Sequence, residues 1–310
     1  MSGLPPRLLG LLLGAGLALL PAGVSAAEGG KIVVASKIDT EGALLGSMIV
    51  TLLETNGLAV ENKLQLGPTN ILRAAIMAGQ VDIYPEYTGN GALFFHLEDD
   101  PVWKDWARGE AKVATLDRTK NRLVWLAPAP ANNTWVIAVR KDLAERGGLR
   151  SLGDFGKYLA SGGRIKLAAS AEFVESPSAL PAFEATYGFQ LSDEQLLTLS
   201  GGNTSATLRA AAEAMSGVNA AMAYGTDGAL AALDLTALAD DKGAQIVYAP
   251  APVVREAVLE RHPEIAKVLD PVFATLTLET LQRLNAEIAV DGEDAGAVAV
   301  AYLKSQHFLP

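Results

Sequence analysis

Ala127-Pro128-Ala129-Pro130-Ala131-Asn132-Asn133-Thr134-Trp135-Val136-Ile137-Ala138-Val139 is the stretch on which the fold turns. Two prolines fix φ and withhold N–H groups, so residues 128–134 cannot continue a helix or an inner strand. Trp135–Val139 then reads as a fresh, apolar strand. A chain that breaks and restarts in this way is crossing between domains. Pro250-Ala251-Pro252 repeats the device after a strand expected at Gln245–Tyr248, and it carries the chain back. Two crossovers enclose an inserted domain. Residues 27–134 and 248–310 are expected to form one lobe and 135–247 the other, hinged around a cleft that can close on a small ligand. Asn132 and Asn133 either bond the crossover backbone or contact that ligand.

Upstream of the first crossover the chain alternates. Lys31–Ala35 is a compact apolar strand. The polar turn Ser36-Lys37-Ile38-Asp39-Thr40-Glu41-Gly42 follows, and then Leu44, Leu45, Met48, Ile49, Leu52 and Leu53 recur at helical spacing. Asp39 or Thr40 is the expected N-cap. A strand, a polar turn and a helix N-terminus together point backbone N–H groups at an anion. Lys63–Leu66 reads as a strand and Thr69 onward as a helix. Val81–Tyr84 alternates as a third strand, which Pro85 is expected to end before Glu86-Tyr87-Thr88-Gly89. This β-α-β-α-β order predicts an α/β fold with a parallel, doubly wound sheet, whose ligands sit at strand ends. Trp103 and Trp106 are expected on a peripheral helical segment.

The inserted region repeats the rhythm. Arg164–Ala169 runs into Ser170-Ala171-Glu172-Phe173, and Val218–Ala223 runs into Tyr224-Gly225-Thr226-Asp227-Gly228. Helices are expected at Leu152–Leu159, Leu180–Tyr187 and Thr204–Met215, the last capped by Asn203 or Thr204. Tyr224 and Thr226 mirror Tyr87 and Thr88 of the first lobe. From about Val254 to the end the pattern is helical, with stripes at Leu278–Ile288 and Ala295–Leu303 suited to packing on the first sheet.

Composition limits what such a frame can be used for. Half of the 310 residues are apolar, and 19% are charged, which is a globular balance. Arg7, the apolar run Leu8–Leu20 and Val24-Ser25-Ala26 form a signal peptide pattern, with cleavage expected after Ala26. Glycines and Pro21 make this run a poor membrane span. Removing Arg7 leaves 24 basic against 35 acidic residues, a net charge of −11, which argues against nucleic acid as a partner. The chain has no cysteine. That excludes disulfides and thiolate metal sites, and it denies the export signal a lipid anchor. A free periplasmic protein is expected.

The motifs at Ser36–Gly42, Tyr84–Gly89 and Tyr224–Gly228, with Ala127–Trp135 and Leu167–Phe173, resemble the substrate-binding proteins of osmoprotectant ABC importers. The likeness runs from about Lys31 to the C-terminus. It implies a periplasmic binding protein fold with two crossovers (type II), and a quaternary-ammonium solute such as glycine betaine or choline. It also implies a membrane permease with its ATPase as partner, a monomer, and no cofactor. A quaternary ammonium has no N–H to donate, so aromatic faces must hold it, each contributing up to about 2 kcal/mol when desolvated. Tyr87 and Tyr224 match the family motifs as ring candidates. Thr40, Ser36, Thr226 and the N–H groups of the Asp39–Gly42 turn are candidates for a carboxylate. Thr88, Asn132, Glu172, Phe173 and Asp227 complete the candidate set. Acids near the site, Asp39, Glu86 and Asp227, favour choline over betaine if they face it, although capping and turn-making also suit Asp39 and Asp227.

Competing functions have thinner support. His96, His262 and His307 stand in separate contexts, with no nucleophile or metal-ligand spacing beside them. Ser36-Lys37 is adjacent rather than helically spaced, a poor catalytic dyad. No enzyme is expected. A solute-binding sensor or interaction protein using the same clamp is the remaining alternative.

Overall fold

Two five-stranded sheets carry the structure, which is a computed structural model describing residues 30–199 and 204–310. The expected signal peptide at 1–26 and the expected cap at Asn203 lie outside the described residues. The first sheet is built from β1 (Ile32–Lys37), β2 (Val60–Gly67), β3 (Ile83–Tyr87), β4 (Leu123–Trp125) and β10 (Pro250–Arg255), in the order β2-β1-β3-β10-β4. The second is built from β5 (Trp135–Arg140), β6 (Leu167–Ser170), β7 (Leu196–Leu199), β8 (Ala220–Tyr224) and β9 (Leu235–Ala237), in the order β7-β6-β8-β5-β9. The two orders are the same arrangement. In each, one antiparallel strand separates two strands of the opposite sense, and in each it is the first strand after a crossover.

That strand corrects two expectations. The sheets are mixed rather than wholly parallel, because the chain enters each one from the other side. Pro250–Pro252 is also not the crossover. It is the start of β10, which continues through Val254 and Arg255, so the C-terminal helices begin at Glu256. The crossover lies just before it, in the segment read as a strand at Gln245–Tyr248. Pro85 does not end β3 either. It lies in register opposite Pro252. Antiparallel ladders alternate hydrogen-bonded and non-hydrogen-bonded pairs, so two prolines can face each other where neither N–H is needed.

Each sheet is covered on both faces. On one face of the first, helix α1 (Thr40–Thr55) buries Leu44, Leu45, Met48, Ile49, Leu52 and Leu53. Helices α2 (Leu278–Ala289) and α3 (Ala295–Ser305) join that core through Leu281, Leu284, Val298 and Leu303, and they pack on α1. The other face buries Leu72, Ile76, Trp103, Val113 and Trp125, while Trp106 stays exposed at the rim. The second sheet is likewise sandwiched, by Phe155, Phe173 and Phe183 on one side and Leu208, Ala211 and Leu230 on the other. Among the described residues no helix is long and apolar enough to cross a membrane.

The two crossovers run side by side. The Tyr248 N–H donates to Asn132 Oδ1 at 2.8 Å, the Asn133 N–H to the Tyr248 carbonyl at 3.0 Å, and the Thr134 hydroxyl to the Ile246 carbonyl at 2.8 Å. Asn133 and Tyr248 of this ribbon line one cavity together with the strand-end residues Lys37, Tyr87 and Tyr224.

Candidate functional site

The turn from β1 to α1 sets the geometry on the side of the first sheet. Asp39 caps α1, its Oδ1 accepting from the Gly42 N–H at 2.7 Å. A Cβ on Gly42 would lie 2.7 Å from the Lys37 carbonyl oxygen, so only glycine lets the helix start this close to the strand. The tight start buries the Lys37 and Glu41 side chains. Lys37 Nζ pairs with Glu86 Oε1 at 2.5 Å and stands 4.4 Å from the centre of the Tyr87 ring. Glu86 is fully buried and also accepts from the Tyr84 hydroxyl, the Tyr87 N–H and Asn90 Nδ2.

Glu41 is the second buried carboxylate. It accepts from the Tyr87 hydroxyl at 2.8 Å, Asn133 Nδ2 at 3.2 Å and Asn285 Nδ2 at 2.8 Å. The Thr226 hydroxyl bonds it as well. Burial raises its pKa above the ordinary carboxylate value, while the hydrogen bonds from Thr226, Asn285 and Tyr87 oppose that rise and nearby Asp39 adds to it. Burial is also the main reason the Tyr87 hydroxyl titrates well above its ordinary range.

On the second sheet the antiparallel register places Trp135 directly opposite Tyr224. Their rings stack at 4.5 Å with 26° between planes, and Phe173 meets Trp135 edge-on at 5.4 Å from behind. Asp227 turns back on the strand end, its Oδ2 accepting from the Tyr224 N–H at 2.8 Å. Burial lifts the Asp227 pKa to about 6, against the hydrogen bonds from that N–H and from Thr204. The Tyr224 hydroxyl is pushed above its ordinary range by burial first, then by the charges of Glu172 and Asp227.

Between these walls lies a cavity of about 760 Å³, within the range of small-molecule sites. Of the residues singled out from sequence, Tyr87, Tyr224, Asp39, Thr40, Glu172, Thr226 and Asp227 lie on its wall. Four do not. Ser36 is buried within β1, its hydroxyl oxygen accepting from the Gln65 N–H of β2. The Thr88 hydroxyl bonds the second crossover at Val247 and Ala249. Asn132 takes the structural one of its two readings, holding Tyr248. Phe173 supports Trp135 from the core.

The wall also contains residues that sequence reasoning left aside: Lys37, Glu41, Asn90, Trp135, Tyr248 and Asn285, along with Asn133, for which both readings were open. Lys37 and Glu41 were inside a quoted motif, and the helix-start geometry that buries them is local. Trp135 had a register signal, because an antiparallel partner of β8 beginning at Trp135 brings two aromatic rings together. Asn285, 244 residues from Glu41, had none. Lys37 is the single basic residue among the described residues of the wall, and Asp39, Glu41, Glu172 and Asp227 are its acids. Among the described residues no cluster of three or more His, Asp or Glu side chains could hold a metal. The arrangement suits reversible capture of a cation, with aromatic faces, surrounding negative charge and one ammonium group.

Residues 30–305 match the family described as the substrate binding domain of ABC-type glycine betaine transport systems. The chain is 59% identical over 273 residues to the glycine betaine-binding protein YehZ of Escherichia coli, covering 88% of this chain and 90% of that protein. It is 32% identical to a glycine-betaine-binding protein of Pseudomonas aeruginosa, covering 94% and 92%. Among solved structures, apo YehZ superposes with a TM-score of 0.83 at 58% identity, covering 90% of this chain and all of that one.

Proposed function

The chain belongs to the substrate-binding domains of ABC-type glycine betaine transport systems, and from that premise we propose that it captures glycine betaine or a related quaternary-ammonium solute in the interlobe cleft. It is a binding component that serves a membrane permease, not an enzyme. The observation that carries the proposal is the stacked Trp135–Tyr224 pair in a cleft that also presents the rings of Tyr87 and Tyr248. A trimethylammonium head lies against these faces and gains from Glu172, Asp227 and Asp39, the acids whose fields reach Tyr224. The carboxylate of a betaine goes to the Lys37 ammonium and the first-turn N–H groups of α1.

The domain division follows the crossovers, with residues 27–134 and 248–310 as one lobe and 135–247 as the other, closing on the solute as a monomer. The same reading places the protein in the periplasm, free after cleavage behind Ala26. A second reading, choline, is favoured by one observation: four acids share the wall with a lysine that is already paired to Glu86. Thermal-shift measurements with glycine betaine, choline, carnitine and proline betaine separate the two. Stabilisation by the betaines above choline supports the first reading. Choline alone supports the second, and no shift with any of the four rejects both.

A further inference from the structure

One contact between the two halves of the molecule is made by neither crossover. Helix α2, in the C-terminal segment, lies against the Gly225–Gly228 turn that follows β8. Gln282 Nε2 donates to the Gly225 carbonyl at 2.7 Å, and Asn285 Nδ2 donates to the Thr226 carbonyl at 2.9 Å. A Cβ on Gly228 would fall 2.1 Å from the Ala286 nitrogen, so at this point backbone rests on backbone. The same Asn285 Nδ2 also donates to Glu41 Oε2 at 2.8 Å. One buried amide group thus joins a carboxylate of the first sheet's site to a carbonyl of the second sheet's site. Glu41 in turn holds the Tyr87 hydroxyl and is bonded by the Thr226 hydroxyl.

We propose that Asn285 is a positioning residue for ligand binding: by bridging Glu41 and Thr226 it sets the separation of the two cleft walls. The inference rests on the binding function proposed above and adds to it a residue that need not touch the solute. If the walls part, the bridge breaks. Glu41 then loses the Thr226 hydroxyl and the Thr226 carbonyl loses the Asn285 amide, so the approached state is favoured wherever the bridge is intact. Contacts made only after closure act on dissociation rather than on encounter.

The chain has no cysteine, so spin labels at Ile71→Cys and Glu175→Cys, one exposed position beyond each wall, report the interlobe distance without background. In Asn285→Ala the distance distribution is expected to lengthen in ligand-free protein. Glycine betaine is expected to dissociate at least tenfold faster, with an association rate within twofold of the parent. Asn285→Asp sets a carboxylate against the Thr226 carbonyl as well as against Glu41, with Asp39, Asp227 and Tyr87 as the other titratable neighbours and Lys37 the nearby cation; Asp227, whose pKa is about 6, is present in both variants and cancels in their comparison. Charged, the new carboxylate repels the Thr226 carbonyl of the other lobe, and beside Glu41 it takes up a proton more readily than an isolated acid, so this variant should open further than Asn285→Ala at pH 7 and recover towards it at pH 5. A purely structural asparagine predicts no such pH dependence. Unchanged distances in Asn285→Ala, or identical behaviour of the two variants at both pH values, overturn the proposal. If the parent protein binds none of the quaternary amines, the function reading fails, while the ligand-free distances still decide the role of Asn285.

Discussion

Asp227 is a carboxylate in surroundings that disfavour its charge, and stability should report this. Its native pKa is raised to about 6 by burial, above the value of about 3.9 expected in an unfolded chain. The folded state therefore holds the proton more tightly, and stability contributed by this group is present below about pH 4 and lost as pH rises through about 6. Asp227→Asn keeps an oxygen for the Tyr224 N–H and removes the titration. It should melt higher than the parent at pH 7, with the gap closing towards pH 4, in a series of calorimetric scans. A gap that does not change with pH would contradict the assignment. At the same scale, Tyr224→Ala or Tyr87→Ala should weaken solute binding at least tenfold, about 1.4 kcal/mol, by titration calorimetry. For Tyr224 the loss is a ring face. For Tyr87 it includes the hydroxyl that holds Glu41. The sequence made both tyrosines readable because each stands at a strand end beside a glycine turn. Trp135 passed as an ordinary strand residue, because its partner lies 89 positions away and only the register joins them.

Among the elements, the start of α1 was the most legible. Capping residue, first-turn acid and apolar stripe all lie within one short stretch, and Asp39 takes the N-cap. What the pattern did not show is how tightly that start is pressed on β1. Gly42→Ala would push a methyl group into the Lys37 backbone. It should cost about 1–3 kcal/mol as overpacking does, visible as a lower midpoint in urea, and should weaken binding by displacing Lys37. A stability equal to the parent would show that the turn can yield. β10 was the least legible element. Proline usually marks a break in a strand, and on that ground Pro85 reads as the end of β3 and Pro250-Ala251-Pro252 as a crossover. The tertiary partner decides otherwise, since Pro252 faces Pro85 across the ladder and asks nothing of it. Proline is therefore a poor boundary signal wherever its neighbour strand also carries one at the matching register.

At the scale of the molecule, the two crossovers explain most of the design. Each sheet receives its antiparallel strand from the other side, so the two halves share one strand order and turn their strand ends towards each other. The cleft follows from that topology, and its cation-seeking character follows from what stands on the ends. Whereas the return reads as Pro250–Pro252, which belongs to β10, the outward crossover was legible because a break and a fresh strand are local signals. The bridge from α2 was not, because nothing in the spacing of Gln282 and Asn285 reveals a contact with Gly225 and Thr226. The central claim is that aromatic faces in this cleft hold a methylated ammonium while Lys37 meets its carboxylate. Its most direct test is a calorimetric titration of the protein with glycine betaine beside the same titration of a Trp135→Ala, Tyr224→Ala double variant. A saturable one-to-one heat that disappears in the variant is the predicted result. Binding of equal strength in both proteins, or no heat from the parent at any concentration, would contradict it.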